Sequence, residues 1–148
     1  MKYVYRLVFK VFLLSLYFHF PAKSQDMSLV VIANTKGAPP EMKLAQLKST
    51  MKGEKLRWPD GTKVVIALLK STTPIGTSTS KKIYNMSANE LNKFWLALVF
   101  QGKADAPNFF NSEADLEEFV SQTNGAIGIV NHPSASNKIL VIDGQKSL

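Results

Sequence analysis

Four short runs of aliphatic and β-branched residues set the limits on what this chain can fold into: Ser28–Ala33, Lys63–Leu69, Ala126–Val130 and Lys138–Ile142. Each is too short for a buried helix and is bounded by turn residues, which is the pattern of strands covered on both faces. Ser28–Ala33 predicts a parallel, covered strand. Helical periodicity fills the intervals. Glu41–Met51 places apolar residues at 44, 47 and 51 behind a proline suited to a first turn, and Gly53 ends it. Ser87-Ala88-Asn89-Glu90 is a capping box, followed by Leu91, Phe94, Trp95 and Leu98 at i, i+3, i+4 and i+7. A third helix opens at Asn111-Ser112-Glu113, turns Leu116, Phe119 and Val120 to one face and stops by Gly125. Lys70–Ser80 reads as a loop, with a helix starting near Thr77 and continuing through Lys81–Met86. Strands alternating with helices predict an α/β fold with a mostly parallel sheet flanked by helices.

The first two dozen residues have a different character. Lys2, Arg6 and Lys10 precede the apolar run Val11–Phe20, and Ala22-Lys23-Ser24 supplies small residues at alternate positions. This is a secretory signal, residues 1–24, with cleavage expected between Ser24 and Gln25. The run spans ten residues, short of the about 20 that cross a bilayer as a helix, so no stable membrane insertion is expected after cleavage. The expected location is periplasmic or secreted, with residues 25–148 as one binding domain. Cleavage removes four of the 18 basic residues and none of the 11 acidic ones, and the net charge falls from +7 to +3. Basicity therefore belongs largely to targeting, which argues against a nucleic-acid partner. There are no cysteines, which excludes disulfides, thiolate metal sites and a thiol nucleophile. The exported domain has to rely on its apolar core.

Enzymatic constellations are scarce. His132 is the single histidine outside the signal and has no neighbouring ligand residues in sequence, so neither a metal nor general-base chemistry is implied. Glu113, Asp115, Glu117 and Glu118 crowd a helix start, where negative charge suits the dipole and a solvated face is expected. No nucleotide-binding loop or nucleophile elbow is present. The chain reads as non-catalytic and free of cofactors. Binding is suggested instead by Ser71–Ser80, seven of whose residues are Ser or Thr, between a buried strand and a helix. Backbone amides at a helix start together with hydroxyl donors form an anion site, and a glycine lets backbone approach closely. Gly76, Thr77 and Ser78 are the candidates there, with Lys70 as the nearby cation. By the same logic Asn34 and Thr35, which follow the first strand, form a second candidate loop. Trp58 and Trp95 read as packing residues.

The run Leu44-Ala45-Gln46-Leu47-Lys48, continued by Met51-Lys52-Gly53 and Trp58-Pro59-Asp60-Gly61, resembles the L-x-x-I-F-x-G-x-x-x-x-W-x-x-G stretch of the phosphate-binding-protein family of type II periplasmic binding proteins. Gly76-Thr77-Ser78 is similar to that family's Ser-Gly-Thr loop, and Gly125-Ala126-Ile127-Gly128-Ile129 to its P-G-A-I-G-Y. The resemblance implies a substrate-binding component of an ABC uptake system, capturing phosphate or another small oxyanion between Asn34-Thr35 and Gly76-Thr77-Ser78. It also implies a permease as possible partner. Relatives are about twice as long with two lobes, so the resemblance implies a module truncated to about half of them. Lys70 stands nearest to where they carry an arginine, and Ile75 replaces a serine. The alternative on the same fold is an envelope protein-interaction or accessory module with no small-molecule ligand.

Overall fold

The computed structural model describes residues 27–148; the signal expected over residues 1–24 and its expected cleavage point lie outside the described residues. Five strands form the central sheet: β1 (Val30–Ala33), β3 (Val65–Leu69), β4 (Asn108–Phe110), β5 (Ala126–Val130) and β6 (Lys138–Ile139), in the order β4-β3-β5-β1-β6. β2 (Glu41–Met42) and β7 (Val141–Ile142) form a separate parallel pair. The helices are α1 (Leu44–Met51), α2 (Pro74–Thr79), α3 (Ala88–Phe100) and α4 (Glu113–Gln122). α2 continues through a five-residue π-helical turn, Ser80–Tyr84, which ends at the left-handed Asn85. The fold is α/β with a mostly parallel sheet flanked by helices, since β4, β3, β5 and β6 all point one way.

β1 is the exception. It pairs antiparallel with β5 on one side and β6 on the other, Ala33 facing Ile127 and Lys138. The expected parallel first strand is thus corrected: a run buried on both faces has the same composition in either direction. The short runs do occupy the core, for Val30–Ala33, Ile66–Leu69 and Ala126–Val130 are all buried. Glu41 and Met42 leave the predicted helix to pair with β7, and α1 starts at Leu44, where Gln46 Oε1 accepts from the Lys43 N–H at 3.0 Å. Lys138–Ile142 divides between two sheets, because Leu140 N–H bonds back to the Val31 carbonyl.

Local signals set the remaining elements. Ser87 Oγ accepts from Glu90 N–H at 3.3 Å while Glu90 accepts from Ser87 N–H at 2.7 Å, and those bonds hold the Glu90 carboxyl below its ordinary range. Behind that cap, Trp95 and Phe94 of α3 pack edge to face with each other and with Tyr84, whose hydroxyl donates to the Met51 carbonyl at 2.7 Å. Trp58 is buried against the start of β3 and β5, its indole N–H donating to the Gly125 carbonyl at 2.8 Å. Both tryptophans are packing residues. α4 packs on β5, β3 and β1 with Leu116 and Val120, both fully buried.

Candidate functional site

Strand direction decides which loops share an end of the sheet. The carboxyl ends of β3, β4 and β5 lie together: Leu69 pairs with Phe110, and Lys70 N–H bonds to the Phe110 carbonyl at 2.9 Å. The turn Lys70–Thr73, helix α2 and the loop 131–137 therefore sit at this end. Asn34 and Thr35 do not. Because β1 is antiparallel, Asn34 N–H meets the Ala126 carbonyl and Gly125 N–H meets the Lys36 carbonyl at the start of β5. The two candidate loops are separated by the length of β3, roughly 17 Å at about 3.3 Å per residue. The expected pocket between Asn34-Thr35 and Gly76–Ser78 is not formed.

Asn34 has a different task. Its amide donates to the Val120 and Ser121 carbonyls, each at 2.9 Å, and its Oδ1 accepts from Lys36 N–H at 2.9 Å. The buried side chain closes the C-terminal end of α4, whose last carbonyls lack intrahelical donors. Thr35 is exposed beside it.

At the other end the hydroxyl-rich segment begins its helix three residues earlier than Thr77. Pro74 occupies the first helical position and Thr73 is the cap, its Oγ1 accepting from Gly76 N–H at 3.0 Å and donating to the Lys70 carbonyl at 2.8 Å. Gly76 is required by crowding, since a Cβ there would lie 2.1 Å from the Lys70 carbonyl oxygen. The proton of the Thr77 hydroxyl is shared between the Ser71 and Thr73 carbonyls, at 2.8 and 3.0 Å, so that hydroxyl locks the turn. Three backbone N–H groups are left without an acceptor among the described residues, those of Ser71, Thr72 and Ile75. The Ser78 hydroxyl is half-buried and also has no partner there, and Lys70 is exposed with no carboxylate against it. Lys70, Gly76 and Ser78 are thus held in one small region, joined by the amides of Ser71 and Thr72. Those amides were legible in principle, because proline at a first helical position leaves its predecessors outside the helical ladder.

The loop after β5 forms the neighbouring wall. Glu113 accepts from the N–H groups of Asn131 and His132 at 2.6 and 3.1 Å, and Glu117 accepts from Ser134 N–H at 2.7 Å, from the Ser134 hydroxyl and from Asn137 Nδ2 at 3.2 Å. Two of the four carboxylates expected on a solvated face instead clasp this loop, and Glu117 is buried. The exposed His132 ring has its Nε2 3.1 Å from Asn131 Nδ2. No group of acidic, histidine or cysteine side chains among the described residues is arranged to hold a metal, and no described helix is long and apolar enough to cross a membrane.

This fold is similar to part of the fold of solved phosphate-transport binding proteins. It superimposes on an ABC-type phosphate transport receptor from Vibrio cholerae with a TM-score of 0.65 and 14% identity, covering 82% of this chain and 48% of that one. PstS from Borrelia burgdorferi matches with a TM-score of 0.60 and 16% identity over 80% of this chain and 48% of its own. A Clostridium perfringens protein assigned as a phosphate ABC transporter substrate-binding protein, with phosphate bound, gives 0.61 and 14% over 81% and 46%. The chain thus spans about half the length of each. No protein-family model and no curated protein matches the sequence.

Proposed function

We propose that this chain is an exported, non-catalytic solute-binding module that takes phosphate or another small oxyanion at the turn Lys70–Ser78. The observation that carries this reading is the set of amides at Ser71, Thr72 and Ile75, left without acceptors among the described residues in a turn that Thr73 and Thr77 hold together. Oriented N–H groups at the start of a helix stabilise a bound anion without a full counter-charge, and Lys70 adds one. The fold shared with phosphate receptors supports the same end of the sheet as the ligand end, because solutes bind outside the carboxyl ends of strands in open α/β sheets. Thr77 and Gly76 act here as framework, and Asn34 and Thr35 have no part. Periplasmic or secreted location follows from the signal over residues 1–24, and an ABC permease is the natural partner of such a module.

The test is calorimetric titration of the protein with phosphate and sulfate. Saturable binding that weakens at least about tenfold, or ~1.4 kcal/mol, in Lys70→Glu supports the site. Lys70 is exposed and makes no side-chain bond in the fold, so its reversal leaves stability intact. Absence of binding by either anion at millimolar concentration, or an affinity indifferent to Lys70→Glu, removes it. One observation favours the protein-interaction alternative. Phe100 is 86% and Leu96 61% exposed on the outer side of α3, and they form an apolar stripe with Val99. Photo-crosslinking from position 100 to an envelope protein, with no oxyanion bound, would favour that reading.

A further inference from the structure

A cavity of about 350 Å³ opens beside the first half of β3, walled by segments 53–57, 63–66 and 104–108. It exists because two flanking segments leave part of the β3 edge uncovered. On one side the arm at residues 56–58 folds back on 62–64, Val64 N–H bonding to the Leu56 carbonyl at 2.9 Å and Trp58 N–H to the Thr62 carbonyl at 2.8 Å. On the other side β4 begins only at Asn108, opposite Ala67. Backbone groups point to alternate sides along a strand. Val65 N–H turns toward β5, to the Gly125 carbonyl, whereas Val64 N–H and Lys70 N–H turn the other way. Ile66 N–H therefore points toward the uncovered edge, into the gap between Leu56 and Asn108, with no strand residue opposite it.

The walls are largely aliphatic, from Val64, Val65, Ala104 and Ala106, and the mouth is cationic. Lys55, Arg57 and Lys63 face one carboxylate there, Asp105, which Lys63 meets at 2.6 Å. Both members of that pair are mostly solvent-exposed, so exchanging Asp105 for another carboxylate costs little. We infer that this cavity is a second ligand site, for a small organic carboxylate with an apolar body. The carboxylate accepts from Ile66 N–H and takes over Lys63, and the hydrocarbon part fills the space between Val64 and Ala106. The volume lies at the low end of the range for small-molecule sites, about 300–1,000 Å³. A docking peptide strand is blocked by the arm at one end and by β4 at the other. An inorganic oxyanion would leave the aliphatic walls wet. The site lies at the opposite end of β3 from the Lys70–Ser78 turn and is independent of what binds there.

Calorimetric or NMR titration of the full chain with phenylacetate tests this, with phenethylammonium and phosphate as controls. Phenylacetate is expected to bind saturably and phenethylammonium to fail. Asp105→Asn removes the competing carboxylate and tightens phenylacetate binding several-fold, Lys63→Gln weakens it several-fold, and Ala106→Trp fills the cavity and abolishes it. No phenylacetate binding by either the parent or Asp105→Asn overturns the inference. So does binding that Lys63→Gln or a folded Ala106→Trp leaves unchanged. The variants at 63 and 105 alter exposed side chains, which keeps the test decisive if tryptophan at 106 disturbs the fold. Competition by phosphate against phenylacetate would also overturn it, by placing both anions in one site.

Discussion

Two polar turns follow two buried strands in this molecule, and their fates differ. The turn after β1 meets the C-terminal end of α4, where carbonyl groups need donors, and Asn34 supplies both of its amide hydrogens to them. The turn after β3 leads into the N-terminal end of α2, where amide groups need acceptors, and Thr73 satisfies only Gly76 N–H. One turn therefore presents the negative end of a helix and the other the positive end. Hydroxyl and amide side chains are present at both. What separates the structural joint from the proposed anion site is which helix end lies behind the turn, and strand direction decides that.

The largest expected effect tests whether the first turn is a joint. Gly125 has φ +76°, and a Cβ on it would lie 2.0 Å from the Lys63 carbonyl oxygen. Its backbone also receives Val65 N–H and the Trp58 indole, and donates to the Lys36 carbonyl. Gly125→Ala combines backbone strain with overpacking and is expected to cost about 3 kcal/mol or more, read from urea unfolding midpoints. A cost below about 1 kcal/mol would break the idea that residues 34–37, 58 and 125 lock this end. Asn34→Ala comes next, at about 2 kcal/mol, because it leaves the Val120 and Ser121 carbonyls without their donor. Oxyanion affinity is expected to be unchanged in it. If affinity falls while the unfolding midpoint holds, the roles of the two turns are reversed.

Much of this fold is legible in local sequence. The buried runs, the Ser87–Glu90 capping box and the 91/94/95/98 stripe all act within a few residues, so period and cap suffice to place them. Strand direction is not local. An uninterrupted apolar run such as Val30–Ala33 carries no arrow, and only pairing with Ile127–Val130 supplies one. β4 is three residues long, too short to register as a strand, and Glu41–Met42 joins the sheet pair through partners a hundred residues away. At the candidate site, counting hydroxyls singled out the turn after β3 and named Thr77 as a donor, whereas its proton serves the turn itself. Pro74 and Thr73 held the better signal. The clasp of Glu113 and Glu117 on loop 131–137 was hidden because a carboxylate near a helix start looks the same whether it meets water or a loop.

The smallest expected change in stability gives the sharpest contrast, through one substitution made at both turns. Thr73→Asp keeps an acceptor for Gly76 N–H but loses the hydroxyl donor to the Lys70 carbonyl, and is expected to cost about 1 kcal/mol. It also places a fixed carboxylate beside the amides of Ser71, Thr72 and Ile75, where an oxyanion would have to sit. Phosphate affinity is then expected to fall at least about tenfold, ~1.4 kcal/mol, by calorimetry. Thr35→Asp adds the same charge to the exposed turn at the other end, beyond the reach of roughly 8 Å over which charge acts strongly at physiological salt. It is expected to leave phosphate affinity within experimental scatter. Equal losses in the two variants would mean that the whole surface potential governs binding, and the distinction between the helix ends would then carry no functional weight.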